Sequence, residues 1–500
     1  MDVAPIIVWL QSEFRLLDNP ALRAAELRGA PVLPLYIWSP AEEGEWPLGQ
    51  ASRWWLHHSL TAFGESLRDA GSRLVIREGS ALEELHRLIK QTGAKSVFWN
   101  RRYEPAIIKR DGQLKSALTG DGLEAQSFNS ALLHEPWTVQ NQAGRPFQVF
   151  TPFWKTCLAK ADPPAPQPAP EFLPPPKDWP ASLAVGDLNL LPKIDWAAGM
   201  RETWQPGEAG ARARLQQFVT AAFTDYAAER NRPDHPGTSR LSPHLHFGEL
   251  SPRQVWHAFR ELGIPDAKRT PESSSDRSQS LGAGESPPRH GAWRNSQFLA
   301  ELGWREFAHH LLFHFPHSTR KPLRSKFEGF PWREDAAWLR AWQKGLTGYP
   351  FVDAGLRELW ATGWMHNRAR MVVGSFLVKD LLIDWRAGAR WFWDTLVDAD
   401  LANNTLGWQW VSGCGADAAP YFRVFNPAGQ GEKFDPDGDY VRRWVPELSD
   451  LPARWIHRPF DAPSEVLAAA QVELGHTYPE PLVSHAIARD VALEAYANLS

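Results

Sequence analysis

Four short apolar runs, at residues 6–10, 32–38, 73–77 and 96–100, alternate with helical patterns near 20–29, 52–70, 80–92 and 105–118. This alternation constrains the fold more than any other feature. Continuous apolar strands separated by helices form a parallel sheet covered on both faces. The first 155 residues are therefore expected to be an α/β domain, with ligands met beyond the carboxyl ends of its strands. No G-x-G-x-x-G follows the first run, so a dinucleotide fingerprint is absent and a nicotinamide-dependent dehydrogenase is disfavoured.

From residue 161 to 180 the chain is Pro-rich, with Pro163-Pro164 and Pro174-Pro175-Pro176. Such a run is neither helix nor central strand and reads as an extended connector. Residues 266–291 are rich in Ser, Gly and Pro and read as a mobile surface insertion. The remainder is helical in pattern. The expected organisation is an α/β parallel-sheet domain (1–155), a linker (156–204), a large all-α domain (205–478) and a C-terminal tail (479–500). With 500 residues at 43% apolar content, two or three domains with real cores are within reach.

A formal charge of −4 argues against a globally basic nucleic-acid coat protein, so any nucleic-acid contact must use a local patch. Two cysteines, Cys157 and Cys414, fit a reducing compartment and leave no four-thiolate cluster. Residues 1–5 carry no basic region before the short apolar run, and eighteen apolar residues never follow one another. The expectation is a soluble, cytoplasmic protein without a membrane span.

Read as helix, residues 364–373 place Asn367 and Met371 one turn apart, with Arg370 beside them. A thioether near an amide fits core plus rim as readily as a binding site. The segment that follows, 376–386, reads as a further packed helix. Asp398, Asp400, Asn403, Asn404, Trp408 and Trp410 then combine carboxylates, amides and large rings where a plain core needs Leu, Ile and Val. Rings that stack and amides that bond polar edges suit a planar ligand. Upstream, a helix is expected from 211 to 230, and Thr238, Ser239 and Ser242 then offer hydroxyls just ahead of another helix, with Arg240 and Leu241 between them. That arrangement suits a pyrophosphate, although the same signal serves ordinary helix capping. Residues 297, 301, 304, 305 and 308 share one helical face. An ion-pair face explains Glu301 and Arg305 but leaves Trp304 unexplained. Arg320, Lys321, Arg324 and Lys326 are solvated charge by default, with phosphate contact as the alternative. Most of the 26 tryptophans fill cores; a few are available to stack on ligands or carry electrons.

The runs WMHNRARM (364–371), KDLLIDWR (379–386), DADLANNTLGWQW (398–410) and PYFRVFNPAGQG (420–431) resemble the flavin-binding domain of the DNA photolyase and cryptochrome family. FRLLDNPAL (14–22) and FQVFTPF (147–153) resemble its antenna domain. One departure stands at Gln11, Ser12, Glu13 and Phe14, where the family has two basic residues and an Asp before the Leu-Arg pair. It is expected to alter local salt bridges rather than the sheet.

The resemblance implies FAD, active as the reduced anion, held by Tyr226, Thr238, Ser239, Arg240, Leu241, Ser242, Gln297, Arg305, Arg370, Asp398, Asp400 and Asn404. In it Asp398 pairs with Arg370 across the flavin, and Asn404 faces the reactive ring nitrogen. It implies a lesion cavity of Glu301, Trp304, Asn367, Met371 and Trp410, and an electron relay from Trp332 through Trp385 to Trp408. Contacts to UV-damaged DNA are assigned to Arg230, Glu301, Trp304, Asn367, Arg368 and Gln430. The implied activity is light-driven splitting of cyclobutane pyrimidine dimers by electron transfer from photoexcited reduced flavin, in a monomer without metal. His366 stands alone where six-four enzymes carry a His pair, which favours the cyclobutane reading.

A light-harvesting antenna is also implied, methenyltetrahydrofolate ahead of deazaflavin, with Glu104 after Tyr103 as its contact. Ile107 replaces a second acid found in many folate-binding members, and Glu104 paired with a surface Arg is the competing reading. The competing function is a cryptochrome-type photoreceptor with a signalling output. The lesion-cavity residues and the short stretch after Tyr478 argue against it. A light-independent flavin oxidoreductase is a third reading, already disfavoured by the missing phosphate fingerprint.

Overall fold

The structure is a computed structural model that describes residues 3–223, 225–261, 292–418 and 422–499. The 266–291 insertion and Pro420-Tyr421 of the last motif lie outside the described residues. The N-terminal domain contains β1 (Ile6–Leu10), β2 (Val32–Trp38), β3 (Val75–Glu78), β4 (Ser96–Asn100) and β5 (Glu124–Phe128). All pairings are parallel and the strand order is β3-β2-β1-β4-β5. Successive side chains enter opposite cores: Ile7, Trp9, Leu33, Leu35, Val97 and Trp99 pack on one face. Val8, Leu10, Tyr36, Trp38 and Phe98 pack on the other. Burial on both faces is what made these runs continuously apolar. β3 starts two positions later than the sequence pattern indicates, at Val75. β5 escaped notice because its sequence, EAQSF, is polar, as an edge strand tolerates.

The Pro-rich stretch runs extended over this domain and is tied to it by backbone bonds. Asp18 N donates to Gln167 O at 2.8 Å, Leu173 N to Ala70 O at 2.8 Å and Val32 N to Pro174 O at 2.8 Å. Leu173 is fully buried in consequence.

The second domain is helical, and buried charges lock it to the first. Glu249 is 0% exposed and accepts from Trp55 Nε1 at 3.0 Å and Gly207 N at 2.7 Å, while His244 Nδ1 meets its other oxygen at 2.5 Å. Asp18 receives Ser251 Oγ at 2.5 Å and Arg253 Nε at 3.0 Å, and Arg15 Nη1 donates to Gly248 O at 2.6 Å. Gly248 has φ +56°, and a Cβ there would lie 2.2 Å from Ser12 O, so only glycine admits this approach.

Several helices depart from the sequence reading. The stretch expected as one helix from 211 to 230 is a helix at Glu208–Gln217, a π turn at Phe218–Ala222 and a short helix at Tyr226–Glu229. The segment 376–386, expected as helix, is a π turn at Phe376–Asp380, a left-handed Leu382 (φ 54°) and a new helix, Trp385–Thr395, capped by Asp384. Burial all round made the segment apolar without revealing the break. The expected C-terminal tail contains the helix His485–Ala497, docked through His485 on Asp380 at 2.5 Å and through Tyr496 stacked on Phe422 at 4.6 Å. Among the described residues no helix is long and apolar enough to cross a membrane.

The departure at residues 11–14 leaves the sheet intact. Gln11 Nε2 donates to Asp111 Oδ2 at 2.9 Å and its Oε1 accepts from Arg110. Glu13, 4% exposed, accepts from Ser12 N at 2.9 Å, yet burial pushes its carboxyl up to about 7. An acid that titrates higher when folded than unfolded makes folding take up a proton. Its contribution is therefore most favourable below the ordinary value of 4.5 and declines as pH rises to about 7. Glu13→Gln should flatten the fall in stability between pH 5 and 8 by roughly 2–3 kcal/mol at most, measured by denaturant unfolding at each pH. Identical pH slopes in the two proteins would refute this.

Candidate active site

A cavity of about 600 Å³ opens in the helical domain. That volume is within the range of sites for large organic ligands. Three helices supply much of its wall: Gln297–His314, Asn367–Ser375 and Leu401–Ser412. The helix expected from 364 begins instead at Asn367, with His366 as its cap: His366 Nδ1 accepts from Arg368 N at 3.1 Å. Asn367 and Met371 remain one turn apart, their side chains meeting at 4.0 Å from Nδ2 to Sδ.

The cavity gathers nearly every residue singled out above. Lining it are Tyr226, Arg230, Thr238, Ser239, Arg240, Leu241, Ser242, Gln297, Glu301, Trp304, Arg305, Asn367, Arg370, Met371, Asp398, Asp400, Asn404, Trp408 and Trp410. Residue 308 is the exception on its helical face, since Ala308 is 1% exposed and turns into the core. The cation cluster is also elsewhere: Arg320 pairs with Glu45 at 2.8 Å, Arg324 Nη2 reaches Ala418 O at 3.3 Å and Lys326 lies over Tyr496 at 4.5 Å.

At one end a carboxylate organises the polar wall. Asp398 Oδ2 accepts from Ser242 Oγ at 2.6 Å and from Arg370 Nη2 at 2.8 Å, and Arg370 Nε donates to Met365 O at 2.8 Å. Arg240 has φ +53°, a conformation an L residue holds only when its surroundings impose it, and its guanidinium lies 4.8 Å from the Trp364 ring. Asp400 caps the helix Leu401–Ser412, accepting from Asn403 N at 2.8 Å, and sits 3.4 Å from His309 Nε2 and 4.0 Å from His246 Nδ1. Burial alone would raise its carboxyl, but His309, Arg305 and His246 outweigh burial and hold it well below the usual carboxylate range. Asn404 Nδ2 donates to Ala389 O at 3.0 Å, which leaves Oδ1 to accept.

At the other end, Glu301 Oε1 accepts from both Arg230 Nη1 at 2.5 Å and Gln297 Nε2 at 2.9 Å, and among the described residues Oε2 has no hydrogen-bond partner. Trp408 packs edge-on against Phe392 at 5.0 Å, and its buried Nε1 has no partner among the described residues. Gly388 permits this packing, because a Cβ there would lie 2.1 Å from the indole. Gly388→Ala should lower the unfolding free energy by about 1–3 kcal/mol and displace Trp408. A variant with unchanged denaturant midpoint would contradict the tight packing.

Four expected residues lie outside the cavity walls and one belongs to a neighbouring pocket. Trp385 is 2% exposed and Trp332 is half-buried, packed on Phe330 at 4.3 Å. Trp408 lines the cavity, Trp385 is in the core and Trp332 is half-buried. Arg368 donates to Asn231 Oδ1 at 2.7 Å and lies 4.1 Å over Phe434 in the helix Pro427–Phe434, which also carries Gln430. Burial, with Arg230 and Arg423 nearby, lowers the Arg368 guanidinium to about 10, so it stays cationic at neutral pH. Arg230, Arg368 and Arg423 thus bring three guanidiniums near one another on a weakly acidic chain, with Arg230 paired to Glu301.

Glu104 lines the neighbouring pocket at the carboxyl ends of β1, β2 and β4, the position expected for a ligand of a parallel sheet. Only about 70 Å³ is open there, because Arg102 pairs with Glu104 at 2.9 Å and with Glu43 at 2.7 Å. Glu104 is thus paired with an Arg, and the pair is largely buried rather than on the surface. Leu245, His246, Arg305 and Asp400 line both spaces. The sequence reading missed His246, His309, Arg423 and Trp364. The first two are histidines in apolar surroundings whose only signal is spatial, their approach to Asp400. Among the described residues no group of three or more His, Cys, Asp or Glu is arranged to hold a metal.

The family description for the FAD binding domain of DNA photolyase matches residues 298–498, and that for DNA photolyase matches residues 6–171. The deoxyribodipyrimidine photo-lyase of Agrobacterium fabrum is 50% identical over 99% of this chain and 98% of its own length. The chain belongs to the DNA photolyase family. Cryptochrome-1 of Arabidopsis thaliana is 42% identical over 95% of this chain and 68% of its own length. The crystal structure of a bacterial class III photolyase from Agrobacterium tumefaciens superposes with a TM-score of 0.92 at 49% identity, covering 100% of this chain and 98% of that one.

Proposed function

We infer that this protein is a light-driven DNA repair enzyme, a deoxyribodipyrimidine photo-lyase acting on cyclobutane pyrimidine dimers in UV-damaged DNA. One observation carries the reading. Glu301, Trp304, Asn367, Met371 and Trp410 line the same cavity as the polar set built on Ser242, Arg370 and Asp398.

The residues fit FAD. The hydroxyls of Thr238, Ser239 and Ser242 and the Arg240 guanidinium suit a diphosphate, and Phe392, Leu406 and Val411 supply apolar wall for the ring system. When bound, reduced FAD supplies the electron, on blue-light excitation, that opens the cyclobutane ring. The chain's residues do the rest. Arg370 and Asp398 together present a neutral, fixed polar edge, and Asn404 presents its carbonyl oxygen to a protonated ring nitrogen. Trp304 and Trp410 offer ring faces for the extruded pyrimidines, and Glu301 Oε2 and Asn367 offer hydrogen bonds to their edges. A dimer is already poorly stacked, so extrusion costs at most a few kcal/mol. Arg230, Arg368 and Gln430 contact the DNA. A monomer and a cytoplasmic location are part of the same proposal.

Trp332, Trp385 and Trp408 form the relay that reduces the oxidised cofactor. Trp385→Phe should abolish light-driven reduction by an external donor yet leave repair intact in chemically reduced protein. Unimpaired photoreduction would remove Trp385 from the route. An antenna pigment, folate ahead of deazaflavin, belongs to the same reading, but a pterin at Glu104 requires the Arg102, Glu43 and Glu104 cluster to open. A near-ultraviolet band beyond the flavin spectrum of the purified protein would support a bound antenna.

The deciding experiment irradiates a dimer-containing oligonucleotide with the reduced protein. Loss of dimers under light and not in the dark is expected. Full retention under light would overturn repair and leave a photoreceptor.

A further inference from the structure

Phe150 stacks face to face on Trp304, with ring centroids 3.9 Å apart and planes 8° from parallel. Trp154 extends the column behind Phe150 at 6.5 Å and 14°. Phe307 meets both rings of the pair edge-on, at 6.0 Å and 5.8 Å. Phe150 opens the helix Phe150–Leu158, whereas Trp304 sits mid-way along Gln297–His314, so the pair joins segments far apart in the chain. Phe150 is buried at 9% exposure, while Trp304 is half-buried and lines the cavity.

Aromatic pairs left to themselves favour offset or edge-to-face geometry over a centred sandwich. With centroids 3.9 Å apart the rings are closer than the roughly 4.5–7 Å of ordinary pairs, so the surrounding packing presses them together. Gly303 shows how: a Cβ there would lie 2.6 Å from the Trp154 indole, so the glycine lets the column press against the helix that carries Trp304. With one face covered, Trp304 has one face left for a ligand ring, and its plane is set before any ligand arrives.

We propose that Phe150 is a positioning residue for lesion recognition, holding the Trp304 indole in the plane that stacks on an extruded pyrimidine. The proposal rests on the reading of Trp304 as a lesion contact. A large side chain ordered before binding spares the complex the cost of immobilising it. Removing the Phe150 ring should weaken binding of dimer-containing DNA about 3- to 10-fold. Turnover per bound dimer stays the same, so the KM for dimer rises while kcat holds.

The test uses the full-length protein with its flavin and measures binding of dimer-containing and undamaged duplexes in the dark. Phe150→Ala, Phe150→Tyr, Trp304→Ala and the Phe150→Ala/Trp304→Ala double variant are compared, and Phe150→Leu replaces Phe150→Ala if the latter fails to fold. The expected result is a selective loss for dimer DNA in Phe150→Ala, recovery in Phe150→Tyr, and no added loss when Phe150→Ala is placed on Trp304→Ala. An unchanged dimer affinity in Phe150→Ala, or an equal loss on the Trp304→Ala background, overturns the positioning role while leaving Trp304 as a lesion contact. If Trp304→Ala alone leaves dimer binding unchanged, the parent reading of the cavity falls, and this proposal with it.

Discussion

Asp398→Ala protein is expected to emerge from purification with little or no flavin. The Asp398 side chain is 3% exposed and holds two partners, Ser242 Oγ at 2.6 Å and Arg370 Nη2 at 2.8 Å. Truncation leaves a guanidinium in the cavity wall without its counter-charge and a hydroxyl without its acceptor. Breaking a buried ion pair costs about 3–5 kcal/mol, and the lower end applies because the Arg370 side chain keeps 24% of its surface exposed. A loss of about 3 kcal/mol in cofactor affinity is roughly a 100-fold weaker hold. Asp398→Asn, which keeps an acceptor for Ser242 but not the charge, should fall between. Flavin absorbance relative to protein absorbance is the measurement, and full loading of Asp398→Ala would remove this carboxylate from the site.

The second large effect concerns the two indoles. Trp304 and Trp410 stand on different helices, Gln297–His314 and Leu401–Ser412, and both line the cavity. Stacking of a base on an aromatic side chain is worth about 1–3 kcal/mol by alanine substitution. Each of Trp304→Ala and Trp410→Ala should therefore weaken dimer binding roughly 5- to 150-fold, with losses that approach additivity in the double variant. Affinity for undamaged duplex should change little, because phosphate contacts carry it. Gel-shift titrations with the two duplexes check this. Equal losses on both would mean that the indoles shape the protein rather than read the lesion.

How much of this was legible in the sequence varied with the kind of information each feature needs. β1, β2 and β4 stood out because burial on both faces writes an uninterrupted apolar run, whereas Glu124, Gln126 and Ser127 in β5 obey the weaker rules of a sheet edge. The polar residues of the cavity were visible because Asn, Asp and Trp crowd where core residues belong. Their assembly was not, since Thr238, Glu301 and Asp398 lie in separate segments that only tertiary packing unites. The π turn at Phe376–Asp380 was hidden by the same uniform burial that made the segment look helical. The stack of Phe150 on Trp304 left no trace in either local pattern, because Phe150 alone reads as an ordinary apolar position and no spacing ties it to Trp304.

The carboxylates sealed at the domain boundary bear on how the chain comes apart. Glu249 draws partners from both halves, and Asp18 of the first half is held by Ser251 and Arg253 of the second, so pulling the halves apart breaks all of these bonds and opens the apolar packing around them to water. The catalytic half is thus no self-sufficient module, and a protease nick in the proline stretch would leave two fragments still clasped together.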